Sequence, residues 1–372
     1  MSQPSSRRQF LQQVGGGIAV SLAALSANNK HAKPGYNTGG KKLGVALVGL
    51  GSYAKNQLAV ALEKTSNCYL AAIVTGTPSK ADEWSKKYNL DKKNIYNYQN
   101  FDSIADNKNV DIVYVVLPNS MHKEFVLRAA KAGKHVMCEK PMATSVQDAI
   151  DMVSACRAAG VQLGIGYRMH FEPFTKEIIR MCRQKEIGDV KFIQTNFGFT
   201  IGDPTQWRLK KDMAGGGPLM DVGIYCVQAA RYVTGEEPVS VTAQYGPVTE
   251  PSVFKDVEQS VSWQLEFPGG ATVNGFSSYR SNIEQLYVSA TKGWLQLSPA
   301  YSYGPIKGSS SKGPLQLPVV HHQTVMLEGI CDALLTSGTM PAHCNGEEGL
   351  RDMKILMAIY EAAASGKKLP LV

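Results

Sequence analysis

Residues 43–54 read Leu43-Gly44-Val45-Ala46-Leu47-Val48-Gly49-Leu50-Gly51-Ser52-Tyr53-Ala54. The first six are an apolar run of the length and composition of a strand buried on both faces. A turn containing Gly49 and Gly51 follows, then a helical stretch from Gln57 to Glu63. Strand, glycine-rich turn and helix in this order give a GxGxxG/A match its structural context. The first glycine permits the tight turn, the second lets backbone approach a pyrophosphate, and small Ala54 lets the helix pack close to the strand. The helix start offers free N–H groups and the positive end of its dipole to phosphates. Gly49, Gly51, Ser52, Tyr53 and Ala54 are therefore candidate dinucleotide-binding residues.

Outward from this turn, strands and helices alternate. A second strand, Tyr69–Val74, ends at Thr75-Gly76-Thr77-Pro78-Ser79-Lys80. NAD-selective sites carry an acid there for the ribose 2′-OH. Hydroxyls and a lysine suit a 2′-phosphate instead, so Thr75 and Lys80 point to NADP; the alternative is an ordinary turn with a solvated lysine. A helix around 80–88, a strand Val110–Leu117, a helix Met121–Ala132 and a short strand Lys134–Cys138 follow. This alternation, up to about residue 165, predicts a Rossmann-type doubly wound parallel sheet. Ligands of such sheets lie beyond the carboxyl ends of strands. That places Leu117, Pro118, Asn119, Glu139 and Lys140 beside the cofactor. His122 starts a helix after the Pro-Asn turn and either contacts cofactor or packs; it is included among the candidates.

The 372 residues are 44% apolar and 19% charged, enough to bury a sizeable core and consistent with two domains. Net charge is +8. Residues 1–27 hold Arg7 and Arg8 and no acid, so the remainder carries +6, interleaved with acids. No basic block alternates with aromatics, and nucleic acid is not an expected partner. Seven scattered cysteines, with no CxxC or CxxH spacing, argue against a zinc site and a disulfide framework; they read as buried small hydrophobes, and no metal is expected. His321-His322 precedes a helix and reads as solvated.

The N-terminus, Ser6-Arg7-Arg8-Gln9-Phe10-Leu11, leads into a weakly apolar run, Val14 to Leu25. This resembles a twin-arginine export signal, too short for a membrane span, with cleavage near Ser26–Asn28. Residues 1–27 are assigned to the signal, 28–42 to a polar arm, 43–165 to the dinucleotide-binding domain and 166–372 to a substrate-binding and oligomerisation domain. The expected location is the periplasm, with no membrane partner after signal removal.

In the second half, Val261, Trp263, Leu265 and Phe267 alternate with Ser262, Gln264 and Glu266, and Pro268-Gly269-Gly270 leads into Ala271–Tyr279. This is a hairpin of a largely antiparallel sheet; Glu284–Ala290 is a further strand. The segment 301–319, rich in Gly, Ser and Pro, reads as a loop. Helical stretches Gln323–Leu335 and Glu347–Ser365 close the chain.

Several of these stretches carry a family resemblance. The glycine turn, Leu117-Pro118-Asn119-Ser120-Met121-His122, Gly133-Lys134-His135-Val136-Met137-Cys138-Glu139-Lys140-Pro141, Gly166-Tyr167-Arg168, Gln206-Trp207-Arg208 and Gly215-Gly216-Gly217-Pro218-Leu219-Met220-Asp221-Val222-Gly223-Ile224-Tyr225 resemble the glucose–fructose oxidoreductase/inositol dehydrogenase (Gfo/Idh/MocA) family. Many of its dehydrogenases carry a histidine four residues after the aspartate of the last motif; Tyr225 stands there instead, which is the glucose–fructose oxidoreductase pattern. The resemblance implies an α/β chain whose second, α+β domain has an open-faced sheet serving subunit contact in a homo-dimer or homo-tetramer. It implies sugar substrates, and Tyr167, Arg168, Trp207 and Arg208 lining the cofactor or sugar site.

Oxidising a sugar C–OH needs a hydride acceptor, a base for the hydroxyl proton and a donor environment for the developing oxyanion. Lys140, at a strand end, and Asp221 and Tyr225, four apart in one helix, are the candidate catalytic set. A tyrosine titrates near 10, and a nearby lysine favours its ionised form. Lys140 and Tyr225 therefore pair, with Asp221 accepting a sugar hydroxyl or orienting the lysine. Three readings compete: an NADP-retaining oxidoreductase that oxidises an aldose at C1 and reduces a second sugar in a ping-pong cycle, a cofactor-retaining glycoside hydrolase, and a non-catalytic sugar-binding protein. A conventional dehydrogenase with a dissociable cofactor is the plainer form of the first.

Overall fold

The computed structural model describes Gly40 and residues 42–371; the segment 1–27 read as an export signal and nearly all of the expected arm, 28–42, lie outside these residues. Six strands form the first sheet: β1 (Leu43–Val48), β2 (Cys68–Val74), β3 (Ile95–Tyr96), β4 (Ile112–Val115), β5 (His135–Cys138) and β6 (Leu163–Ile165). All pair in parallel, in the order β3-β2-β1-β4-β5-β6. β1 is buried along its whole length, the physical reason its sequence is an unbroken apolar run. Gly44 within it is a packing requirement, since a Cβ there would lie 1.8 Å from the Asn109 carbonyl oxygen. The strand order reverses between β1 and β4, which opens a crevice at their carboxyl ends.

Nine strands form the second sheet: β7 (Val190–Gly198), β8 (Ser240–Tyr245), β9 (Ser260–Glu266), β10 (Thr272–Ser278), β11 (Ile283–Ala290), β12 (Gly293–Leu297), β13 (Gly308–Ser310), β14 (Gly313–Pro314) and β15 (Leu369–Pro370). Their order is β14-β13-β12-β11-β7-β10-β9-β8-β15. Every pair is antiparallel but β7 with β10. The alternation in β9 has the cause the sequence implies: Val261, Trp263 and Leu265 are buried while Ser262 and Gln264 are exposed. Trp263 lies across its partner Gly275, where a Cβ would meet the indole at 2.1 Å.

Two local expectations change. The stretch 301–319 is not all loop: β13 and β14 form a small hairpin within it, too short to leave a periodic signal. Asp221 and Tyr225 do not share one regular α-helix. Asp221 lies in a π turn, Leu219–Gly223, which runs into the α-helix Ile224–Thr234 carrying Tyr225. The wider turn changes the offset between the two side chains, a device frequent at functional sites.

The helix Ile224–Thr234 is tied to the C-terminal helix Gly346–Ser365 by buried charge. Arg231 donates to Glu348 and Asp352, each at 2.6 Å, and to Glu237 at 2.6 Å; Gln228 donates to Asp352 at 2.6 Å. The half-exposed Arg351 adds a second guanidinium on Glu348 at 2.6 Å, so three carboxylates face two cations and Asp352 has Arg231 as its charged partner. Burial, offset by Arg231 and reinforced by Glu348, pushes the Asp352 carboxyl up to about 6. The folded form therefore binds a proton more tightly than the unfolded chain, and the cost of the buried charge is fully present above that pH. Urea unfolding of wild type and Asp352→Asn across pH should show the wild type gaining stability relative to the variant as pH falls from about 7 to about 5. A constant difference between the two would show that Asp352 does not titrate there.

Candidate active site

The glycine-rich turn after β1 uses its two glycines for different reasons. Gly49 has φ +95°, and a Cβ would meet the Val116 carbonyl oxygen at 2.5 Å. Gly51 is exposed and has open space where a Cβ would stand. The first glycine is demanded by the fold, and the second leaves a cradle for a group that is not part of the chain. Buried Ala54 begins a π turn, Ala54–Leu58, that continues into the helix Ala59–Lys64. The helical run opens at Ser52, and Lys55 N is the N–H that closes its first turn, on Gly51 O at 3.0 Å, so the N–H groups ahead of Lys55 are the ones a helix start leaves for a phosphate. A dinucleotide fits this cradle.

Gly49, Gly51, Ser52, Tyr53, Ala54, Thr75, Lys80, Leu117, Pro118, Asn119, Glu139 and Lys140 all line one cleft of about 860 Å³, together with Arg168, Trp207, Arg208, Asp221 and Tyr225. At one end, Thr75 Oγ1 accepts from Thr77 N at 3.2 Å, and Lys80 is exposed in the first turn of the helix Pro78–Tyr88. Among the described residues no carboxylate lines this end; Tyr98 packs on Gly76 and lines it too.

At the other end the charges converge on Asp221. Lys140 Nζ donates to its backbone oxygen at 2.5 Å and its Oδ1 at 3.3 Å. Arg208 Nε reaches Oδ2 at 3.1 Å, and the fully buried Tyr279 hydroxyl donates to it at 3.2 Å. Burial works to raise the Asp221 carboxyl, but Lys140 and Arg208 outweigh it and hold the group below its ordinary value. Lys140 is thus oriented by Asp221, while its ammonium lies 4.9 Å from the centroid of the Tyr225 ring. The Arg168 guanidinium carbon lies 5.1 Å from the same ring, so Tyr225 has two cations beside it. Glu139 is buried and accepts from the Tyr114 hydroxyl at 2.6 Å; burial pushes its carboxyl up. Asn119 Nδ2 donates to Ala214 O at 2.8 Å, fastening a strand end of the first sheet to the segment leading into Gly215.

Two expected cofactor residues lie elsewhere. His122 is fully buried, with Nε2 2.8 Å from Leu117 O and Nδ1 3.1 Å from Pro141 O. It braces the two strand-end loops from behind and has no face on the cleft. Tyr167 is buried against His170 and beside Asp352, in the charged cluster around Arg231. Its neighbour Arg168 alone enters the cleft. His322 is also corrected: it is buried, and its Nδ1 accepts from Arg168 at 2.7 Å. Burial and Arg168 push it down to about 3, so it is neutral at working pH.

Phe197, Tyr279, Glu284, Tyr301 and Tyr303 belong to the site, and sequence reasoning passed over them. They come from β7, from the residue after β10, from β11 and from the loop after β12. No spacing links them; the aromatic pair Tyr301 and Tyr303 inside a Gly- and Pro-rich stretch is the only local signal. Among the described residues no group of three or more His, Cys, Asp or Glu is placed to hold a metal, all seven cysteines are buried and free, and no helix is long and apolar enough to cross a membrane.

A doubly wound sheet, a glycine cradle at its switch point and a charged cluster supplied by a second sheet define a dinucleotide-dependent oxidoreductase. Residues 43–167 match the model of an oxidoreductase family with an NAD-binding Rossmann fold, and residues 175–296 match the GFO/IDH/MocA C-terminal domain. The chain belongs to the Gfo/Idh/MocA family. It is 29% identical to D-xylose 1-dehydrogenase [NADP(+)] of Haloarcula marismortui, over 86% of this chain and 90% of that one. It is 31% identical to D-xylose 1-dehydrogenase (NADP(+)) 2 of Haloferax volcanii, over 74% and 84%. Among solved structures, the aldose-aldose oxidoreductase of Caulobacter crescentus superposes with a TM-score of 0.86 at 43% identity, over 89% of this chain and all of that one.

The cradle makes a clean prediction. Gly51→Val places a side chain in open space with no protein atom to displace, so thermal stability should change little. Dinucleotide affinity, read by titration calorimetry, should fall at least about tenfold, because the isopropyl group occupies the approach a pyrophosphate needs. Unchanged affinity would move the phosphates away from this turn.

Proposed function

We propose that the protein is an NADP-dependent aldose oxidoreductase that oxidises an aldose at C1 and reduces a second sugar with the same cofactor molecule. The observation that carries this is the Lys140–Asp221–Tyr225 cluster at the far end of a dinucleotide cleft whose other end presents Thr75 and Lys80 and no carboxylate. The named activities of the xylose dehydrogenases and the aldose-aldose oxidoreductase support it.

The bound nicotinamide supplies the hydride acceptor, and in the second half-reaction the donor. The chain's residues do the rest. Tyr225 Oη takes the proton of the C1 hydroxyl as hydride leaves C1, giving a lactone. Lys140 and Arg168, beside the ring, stabilise the negative charge that gathers on the oxygen. Asp221 is saturated by Lys140, Arg208 and Tyr279, so it serves as the anchor that fixes the lysine and leaves proton transfer to the tyrosine. In the second half-reaction the tyrosine returns its proton to the carbonyl oxygen of the acceptor sugar.

The paired arginines Arg7 and Arg8 support export of the folded protein to the periplasm, where no nicotinamide pool is expected. A cofactor retained and recycled between two sugars suits that setting. The second sheet leaves Gln194, Tyr287, Gln296 and Trp294 half-exposed on the face opposite its buried residues. This uncharged, partly aromatic surface suits contact with a second copy in a dimer or tetramer.

Two measurements test the reading. Tyr225→Phe should still bind NADPH, while single-turnover hydride transfer falls by about two orders of magnitude or more; near-normal transfer would place the base elsewhere. Protein purified without added nucleotide and dialysed should still show nicotinamide absorbance, reduced by one aldose and reoxidised by another. Dialysed protein that is empty, and works only with added NADP, would make it a conventional dehydrogenase.

A further inference from the structure

The cleft is bridged by two tyrosines from opposite parts of the chain. Tyr53 belongs to the glycine-rich turn and Tyr303 to the loop after β12. Their ring centroids are 6.2 Å apart with planes inclined by 31°, within the range of favourable aromatic pairs. Tyr53 Oη also accepts from Gln323 Nε2 at 3.4 Å. Tyr303 lies 4.8 Å from the Arg168 guanidinium carbon, and that guanidinium in turn flanks Tyr225. Tyr303 therefore spans the distance between the phosphate cradle and the reaction centre.

Tyr303 is 54% exposed, yet its mount is rigid. Arg168 donates to the carbonyl oxygens of Tyr301 and Ser302, and the N–H groups of the same two residues donate to Glu284 Oε1. The Tyr301 hydroxyl is hydrogen-bonded to Thr195 at 2.6 Å. Four hydrogen bonds to the 301–302 backbone and one to the Tyr301 side chain thus fix the segment that presents one solvent-facing ring. A large apolar ring that is fixed and uncovered gains burial only when something enters the cleft.

We propose that Tyr53 and Tyr303 form an aromatic clasp across the cleft that governs how fast the dinucleotide leaves. The proposal rests on the dinucleotide reading above. A cofactor whose pyrophosphate sits at Gly49–Ala54 and whose nicotinamide reaches Tyr225 lies alongside this pair, and its release requires the rings to part. The ring faces do the holding, so the tyrosine hydroxyls are dispensable for it.

The test is the dissociation rate of NADPH from the full chain, followed by fluorescence after mixing with excess NADP, with no sugar present. Tyr303→Ala should speed dissociation about tenfold, since a ring pair and a guanidinium contact are lost together and affinity changes fall mostly on dissociation. Tyr303→Phe keeps both contacts and should stay within about twofold of wild type. Tyr53→Leu breaks the pair from the other side and should also speed release. Dissociation from Tyr303→Ala at the wild-type rate overturns the clasp, and so does a defect confined to sugar saturation, which would make the ring a sugar platform. Wild-type protein that binds no NADPH overturns both the clasp and the cofactor reading.

Discussion

One buried carboxylate holds the two halves of the site in register. Asp221 sits in a π turn of the second domain and receives Lys140 from the end of β5, Arg208 from a short helical turn and Tyr279 from the end of β10. Two cations and one hydroxyl on a single anion keep it charged despite burial. Removing any one donor would leave the rest unbalanced, because a buried charge is tolerated only when paired and hydrogen-bonded. The geometry at Tyr225 is downstream of this. The lysine reaches the tyrosine ring because the aspartate holds its ammonium, and Arg168 stands beside the same ring because His322 and the 301–302 backbone hold it.

The first domain was legible because its signals are local. β1 matches the quoted apolar run residue for residue, and the turn after it declares itself through glycines whose reasons are steric. Strand ends in a parallel sheet lie on one edge, so reading Asn119, Glu139 and Lys140 as strand-end residues was enough to bring them together. The second domain yielded only its most regular hairpin, β9 with β10. β7 pairs with β10 and β11, which lie far along the chain, and nothing in its own residues announces those partners.

The residues misplaced from sequence share one cause. His122, Tyr167 and His322 are polar side chains beside functional ones, and adjacency in sequence does not decide which side of a loop a side chain occupies. Arg168 and Tyr167 are neighbours, yet one faces the cleft and the other the Arg231 cluster. His322 looked solvated because histidine pairs before a helix usually are; here its imidazole completes the sphere of a buried guanidinium. Tyr303 was invisible for the converse reason. Its loop is ordered by Arg168 and Glu284, which are 135 and 19 residues away in the numbering, and a Gly- and Pro-rich stretch gives no hint of such anchoring.

The two outermost strands of the large sheet have a consequence for how copies of the chain can meet. β14 and β15 are each two residues long, and each ends in a proline, Pro314 and Pro370. Proline has no N–H to offer, and so short a strand presents almost no ladder for another chain to join. Both margins of the sheet are thereby sealed against lengthening by a tenth strand. Growth in the plane of the sheet, the route to open-ended fibres, is closed, whereas any contact made face to face across a two-fold axis would stop after one partner because it consumes the surface it uses.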